Sequence, residues 1–158
     1  MNIILLGSSG YIGKILLEFL KKKKFKVRGF SSSDLDLTSE NAHKKLISVS
    51  EENTVLIIAT RAPGKQGSNE MFRKETMMGM NISKYLESSK VKKCIYLSTV
   101  SVYDDSTSNM NITENSKTLP SSLYGKAKLK NETTISQICT KKNIEYVILR
   151  CCKIYGPN

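Results

Sequence analysis

Five short apolar runs alternate with segments of helical periodicity along these 158 residues, and that alternation constrains the fold more than any other feature. Asn2 to Leu6 leads into a glycine turn and then a helical pattern from Tyr11 to Leu20, with Ile12, Ile15, Leu16, Phe19 and Leu20 at helical spacing. Lys26 to Phe30 reads as a second strand, and Ser39 as the cap of a helix reaching about Val49. Thr54 to Ala59 is continuously apolar, as a strand covered on both faces should be. A long helix over Asn69 to Ser89 and a strand over Cys94 to Leu97 follow. After a polar loop from about 104 to 120 come a helix from Ser122 to about Lys141 and a strand over Tyr146 to Leu149. The pattern predicts an α/β chain with a doubly wound parallel sheet and helices on both faces, in one domain over 1–158. Ligands of such sheets bind outside the carboxyl ends of the strands, so the chemistry is expected just after Leu6, Phe30, Ala59, Leu97 and Arg150.

Composition narrows the class. Hydrophobic residues make up 39% and charged residues 25%, which suits a soluble globular protein. No apolar run approaches the roughly 20 residues of a membrane span. The N-terminal run breaks at Gly7 without a preceding basic segment, so it does not read as a signal peptide. The net charge of +11 comes from lysines spread along the chain, and the densest run, Lys21 to Lys24, falls where a helix should end and cations complement its carbonyls. No aromatic residues are interleaved with basic ones in a stacking pattern, so no nucleic-acid partner is expected. The charge is read instead as an aid to the approach of an anionic ligand. Cys94, Cys139, Cys151 and Cys152 form no Cys-x-x-Cys pair, and with a single histidine the chain offers no zinc site. A reducing cytoplasm is the expected location.

Gly7-Ser8-Ser9-Gly10-Tyr11-Ile12-Gly13 lies between the first strand and the first helix. Glycines there allow a tight turn, close approach of the backbone to a pyrophosphate, and close packing of helix on sheet. The helix N-terminus presents free N–H groups to the phosphates. A turn without a ligand would use the same residues. An acid that holds the ribose hydroxyls is expected about 20 residues on, at the end of the second strand. Ser31 and Ser32 stand there instead, which leans toward NADP(H) over NAD(H), although no arginine accompanies them. Asp36 is a candidate for adenine contact, or simply a loop acid before a helix.

Tyr124 and Lys128 stand four apart near the start of a helix and so share one face. A free tyrosine ionises near ~10, too high for acid–base work at neutral pH. Lowering that by about 3 units takes roughly 4 kcal/mol of differential interaction, and a neighbouring ammonium supplies part of it. An ordinary exposed helix face would carry the same pair. Thr99 adds a hydroxyl at the carboxyl end of the fourth strand, so that turn, hydroxyl and couple occur in the order a hydride-transfer site requires.

With Asp36-Leu37-Thr38, Ser98 to Tyr103, Tyr124-Gly125-Lys126-Ala127-Lys128, and Leu149-Arg150 followed by Tyr155-Gly156-Pro157, the chain resembles the extended short-chain dehydrogenases/reductases, the NAD-dependent epimerase/dehydratase family. Thr113, Glu114 and Pro120 also fit that family's loop. The resemblance implies a Rossmann-type fold in which Thr99 orients the substrate, Tyr124 is the general acid/base, and Lys128 tunes it and holds the nicotinamide ribose. It implies a cofactor cradle of Gly7, Ser9, Gly10, Tyr11, Ile12 and Gly13, then Ser31, Ser32, Asp36 and Leu37, then Ala59, Thr60 and Arg61, with Tyr124 and Lys128 at the nicotinamide end. The implied substrate is a nucleotide sugar. Members that are 4,6-dehydratases carry an Asp-Glu pair after the threonine. Val100-Ser101 stands here, which leaves an epimerase or a ketoreductase.

Four departures bear on cofactor affinity. The family's asparagine near Glu75 or Thr76 is missing, and Asn81 lies too late. Thr60-Arg61-Ala62 after Ala59 replaces an alanine pair, Asp104 stands where glycine often follows Val-Tyr, and Cys151-Cys152-Lys153 replaces a bulkier pattern beside the nicotinamide. The family continues past Tyr-Gly-Pro into a C-terminal substrate domain, whereas this sequence stops at Asn158. A fragment, a truncated inactive form, or a chain that needs a partner region is therefore expected, with exposed apolar surface that favours self-association or a homodimer. Met71, Met77, Met78 and Met80 on the long helix serve either the core or such a dimer face. A non-catalytic NAD(P)-binding or redox-sensing module is the competing expectation.

Overall fold

The computed structural model describes residues 1–65, 67–103 and 111–156, so the expectations placed on Asp104, on the first part of the 104–120 loop and on Pro157 and Asn158 lie outside the described residues. β1 (Asn2–Leu6), α1 (Tyr11–Lys22), β2 (Lys26–Phe30), α2 (Ala42–Val49), β3 (Thr54–Ile58), α3 (Asn69–Ser88), β4 (Val91–Thr99), α4 (Leu123–Lys141) and β5 (Glu145–Cys151) follow in order, with a short 3₁₀ turn over Val100–Val102. The strands pair in parallel in the order β2-β1-β3-β4-β5. Each expected strand is present. β4 and β5 run further than their apolar cores, because parallel pairing from Lys93↔Glu145 to Thr99↔Cys151 carries polar residues into the ladder.

Alternation along the strands sorts side chains to two faces. Ile4, Leu6, Leu56, Ile58, Cys94 and Tyr96 pack with Leu46, Ile82, Leu86 and Ile135, under α2, α3 and α4. Ile3, Leu5, Val55 and Ile57 meet Leu16, Leu17 and Leu20 of α1 on the opposite face. Among the described residues, α1 is the helix that covers that second face. Val147 and Leu149 of β5 are 41% and 44% exposed and form an apolar strip on that strand. Met71 and Met78 enter the core, whereas Met77 and Met80 face outward.

Ser39 does not cap α2. Its hydroxyl and its N–H both return to the Asp36 carbonyl, which closes a turn and delays the helix to Ala42. Ser68 and Ser122 do cap, accepting from the N–H groups of Met71 and Gly125. Replacing Ser122 by alanine strands that buried-side donor and is expected to cost about 1 kcal/mol of stability, measured by chemical denaturation.

Candidate active site

The glycine turn is tied to the sheet by its own backbone. The N–H groups of Gly7 and Ser8 both donate to the Phe30 carbonyl, at 2.9 and 3.0 Å. Gly10 caps α1 in an extended conformation with no side-chain cap of its own, at the helix N-terminus behind the glycine turn. Gly13 packs directly on the turn: a Cβ there would lie 2.0 Å from the Gly7 carbonyl oxygen. A cavity of about 440 Å³ opens in front, lined by Gly7, Ser9, Gly10, Tyr11, Ile12, Ser31, Ser32, Asp36, Leu37, Ala59, Thr60 and Arg61, with Phe30, Thr38, Pro63 and Met78. Of the expected cradle residues from the first three strand ends, only Gly13 stands behind the wall instead of lining it.

At the end of β2 the serine run is not free. The N–H and hydroxyl of Ser31 both donate to one carboxylate oxygen of Asp34, at 2.9 and 2.6 Å. Those two bonds hold the Asp34 carboxyl below its ordinary range. Asp36 is also committed locally: it accepts from the N–H and hydroxyl of Thr38, which lowers its pKa. Asn81 holds this loop from α3. Its buried amide donates to the carbonyls of Leu37 and Ser39, at 3.0 and 2.8 Å. An amide on an otherwise apolar helix face was the available signal for that role.

A second cavity, of about 510 Å³, shares Ile12, Ala59, Thr60 and Arg61 with the first and extends to Leu97, Ser98, Thr99, Tyr124, Lys128, Cys151, Cys152 and Ile154. Thr99, at the end of β4, and Tyr124 and Lys128, one turn apart on α4, therefore line one cavity. Gly125 seats the tyrosine: its α-carbon approaches the Ser101 carbonyl so closely that a Cβ would lie 2.0 Å from that oxygen. Thr99 Oγ1 accepts from the Ser101 N–H and donates to Ser101 Oγ, both at 3.2 Å. Ser98 Oγ, also on the wall, is buried with no hydrogen-bond partner among the described residues.

Lys128 lies deeper than the spacing alone conveyed. It is 1% exposed, and its ammonium donates to the Thr60 carbonyl at 2.9 Å and, more weakly, to the Leu97 carbonyl at 3.5 Å. Its third partner is Glu75 of α3, with Oε1 2.9 Å away. Glu75 is itself 1% exposed, and its other oxygen accepts from the Ala62 N–H at 2.7 Å. Nothing in the linear spacing exposed this carboxylate. Burial pushes the Tyr124 phenol above its ordinary range; Lys128, 5.9 Å from the ring centre, pulls it down, and Glu75 pushes it up again.

A helix N-terminus behind a glycine turn, a groove along three strand ends, and a tyrosine, lysine and threonine at its far end stand on a parallel sheet of the Rossmann class, and the residues fit a nicotinamide dinucleotide. The chain belongs to the NAD dependent epimerase/dehydratase family, which it matches over residues 3–158. Among solved structures it is similar to a dTDP-4-dehydrorhamnose reductase from Clostridium acetobutylicum, at 25% identity and TM-score 0.83, over 100% of this chain and 55% of that one. It is similar in fold to the UDP-glucose 4-epimerase of Thermus thermophilus in complex with NAD, at 18% identity and TM-score 0.83, over 95% of this chain and 54% of that one. The GDP-mannoheptose C4 reductase of Campylobacter jejuni with NADP bound gives 19% identity and TM-score 0.81, over 98% and 48%. The chain thus spans about half the length of these structures. No curated protein matches it. Among the described residues no helix is long and apolar enough to cross a membrane.

Proposed function

We propose that this chain is the cofactor-binding and proton-transfer half of an NAD(P)-dependent oxidoreductase that acts on a nucleotide sugar as an epimerase or ketoreductase. The observation that carries the reading is the convergence of Thr99, Tyr124 and Lys128 on a cavity continuous with the glycine-turn groove. When bound, the nicotinamide supplies or accepts hydride at the sugar carbon. Tyr124 gives its phenolic proton to the carbonyl oxygen, or takes one from the alcohol, and Thr99 orients that oxygen. Lys128 fixes the floor of the site through Thr60 and Leu97. Val100-Ser101, in place of an acidic pair after Thr99, supports epimerisation or reduction over dehydration. The four free thiols support a reducing, cytoplasmic setting.

Titrating NADH and NADPH against the chain, with cofactor fluorescence as the signal, tests the reading. Saturable binding of at least one is expected, and absence of binding for both removes it. A second reading is a binding module without turnover of its own. Binding without hydride transfer to any keto-sugar nucleotide would select it.

Cofactor choice turns on Asp34. The Ser31-Ser32 run supports NADP(H), but the Asp34 carboxylate bonded to Ser31 opposes a 2′-phosphate. Asp34→Asn is expected to raise the NADPH-to-NADH affinity ratio, because it removes the carboxylate charge that opposes a 2′-phosphate at the end of β2. Parallel fluorescence titrations read that ratio.

A further inference from the structure

We propose that His43 and Asn81 are positioning residues for the adenosine end of the dinucleotide: together they fix the 36–39 segment to α2 and α3 and so set one wall of the glycine-turn cavity. This rests on the reading of the site given above and extends it to two residues that lie outside its motifs. Neither side chain lines the cavity; both act through the backbone of the segment that does.

Leu35, Asp36, Leu37 and Thr38 line the cavity on a stretch that belongs to no helix or strand. Asp36 accepts from the N–H and hydroxyl of Thr38, but those bonds close the turn on itself and do not tie it to the rest of the fold. Asn81 does. It is 1% exposed on α3, and its Nδ2 donates to the Leu37 carbonyl at 3.0 Å and to the Ser39 carbonyl at 2.8 Å. Among the described residues no backbone N–H reaches the Leu37 carbonyl, so the amide is what satisfies it. With Nδ2 turned to two carbonyls, Oδ1 faces α2, where His43 Nδ1 lies 3.1 Å away. An amide oxygen has no hydrogen to give, so His43 Nδ1–H is the donor. The anchor is stiff, because α3 packs so closely on α4 that a Cβ at Gly79 would lie 2.0 Å from Asn131 Oδ1.

An irregular wall offers a flat base a ready surface only if it is in place before the base arrives; a wall that must be ordered on binding lowers affinity. Without the Asn81 amide two carbonyls are left facing the protein interior, and the segment moves toward water to satisfy them. The bond from His43 keeps the amide from turning over, which would set Oδ1 against those same carbonyls. The wall of the adenosine site is thus held from behind by one bond between α2 and α3 and two from α3 to the loop.

ADP-ribose is the probe, since it carries the adenosine end without the nicotinamide, and hydrogen exchange at the Leu37, Thr38 and Ser39 amides is read on the free chain. In Asn81→Leu, exchange at these amides is expected to quicken and ADP-ribose to bind roughly tenfold more weakly, the scale of one buried acceptor left unpaired. His43 separates bonding from packing. His43→Phe keeps a ring and loses the donor, whereas His43→Asn loses the ring and keeps an N–H near the place of Nδ1. ADP-ribose is expected to bind more weakly to His43→Phe than to His43→Asn. An equal or reversed order, or wild-type affinity in either Asn81→Leu or His43→Phe, would overturn the proposal. If Asn81→Leu does not fold, the two His43 variants carry the test alone, because His43 is only partly buried at the start of α2. A wild-type chain that binds no ADP-ribose rejects the reading of the site itself; wild-type binding that the His43→Phe variant matches rejects the proposal and leaves that reading standing.

Discussion

Replacing Tyr124 by phenylalanine is expected to reduce hydride-transfer turnover by about 10³-fold while leaving NAD(P)H affinity within about twofold, because the loss is that of a positioned proton donor. The separation of the two effects follows from the structure. Tyr124 lines the second cavity and is absent from the wall of the glycine-turn groove, where most of the dinucleotide would be gripped. The ring remains packed against the core from its half-buried position, so the fold should tolerate loss of one oxygen. Turnover assayed with keto-sugar nucleotides, beside a fluorescence titration on the same preparation, measures both. A loss of affinity equal to the loss of turnover would assign Tyr124 to binding.

The second large effect belongs to the turn. Gly13→Ala places a methyl group 2.0 Å from the Gly7 carbonyl oxygen and 2.8 Å from its carbonyl carbon. Both are backbone atoms, and Gly7 is held in turn by its N–H bond to Phe30 and by a φ of +85° that other residues rarely adopt. α1 must therefore lift away from β1. Overpacking of this kind is expected to cost about 3 kcal/mol. Where the strain falls on the cofactor site, it weakens dinucleotide affinity by about 100-fold. Chemical denaturation and cofactor titration read the two parts. Unchanged stability and affinity would show that helix and turn are not packed as described.

How much of this could be read from the chain depended on the range of the interaction. Strands and helices follow from local periodicity, so Thr54–Ile58 and the α1 pattern were plain. The polar ends of β4 were not, because Lys93 joins the sheet by pairing with both Val55 and Glu145, and Ser98 by pairing with Arg150, contacts that no local pattern shows. The cradle residues lie within a few positions of strand ends, and all but Gly13 line one cavity. What escaped were contacts between distant segments. Glu75 reaches Lys128 across 53 positions, the difference between those residue numbers, and Asn81 reaches Leu37 across 44. A spacing rule ties Tyr124 to Lys128 on one helix but carries no information about the carboxylate that another helix brings beneath them. The serine run after β2 is similar on a smaller scale: read as hydroxyls alone it favours a phosphate, but the fold wraps Asp34 back onto Ser31.

The central claim is that one nicotinamide dinucleotide spans both cavities, with its adenosine end on the glycine turn and its nicotinamide end at Tyr124. Amide and side-chain chemical-shift mapping by NMR tests it directly, with ADP-ribose and then NAD(H) or NADP(H) added to the labelled chain. ADP-ribose is expected to perturb Gly7 to Gly13 and Ser31 to Thr38, and the full cofactor is expected to add Thr99, Tyr124 and Lys128. Shifts confined to the glycine turn with the full cofactor, or none at either cavity, would contradict the account.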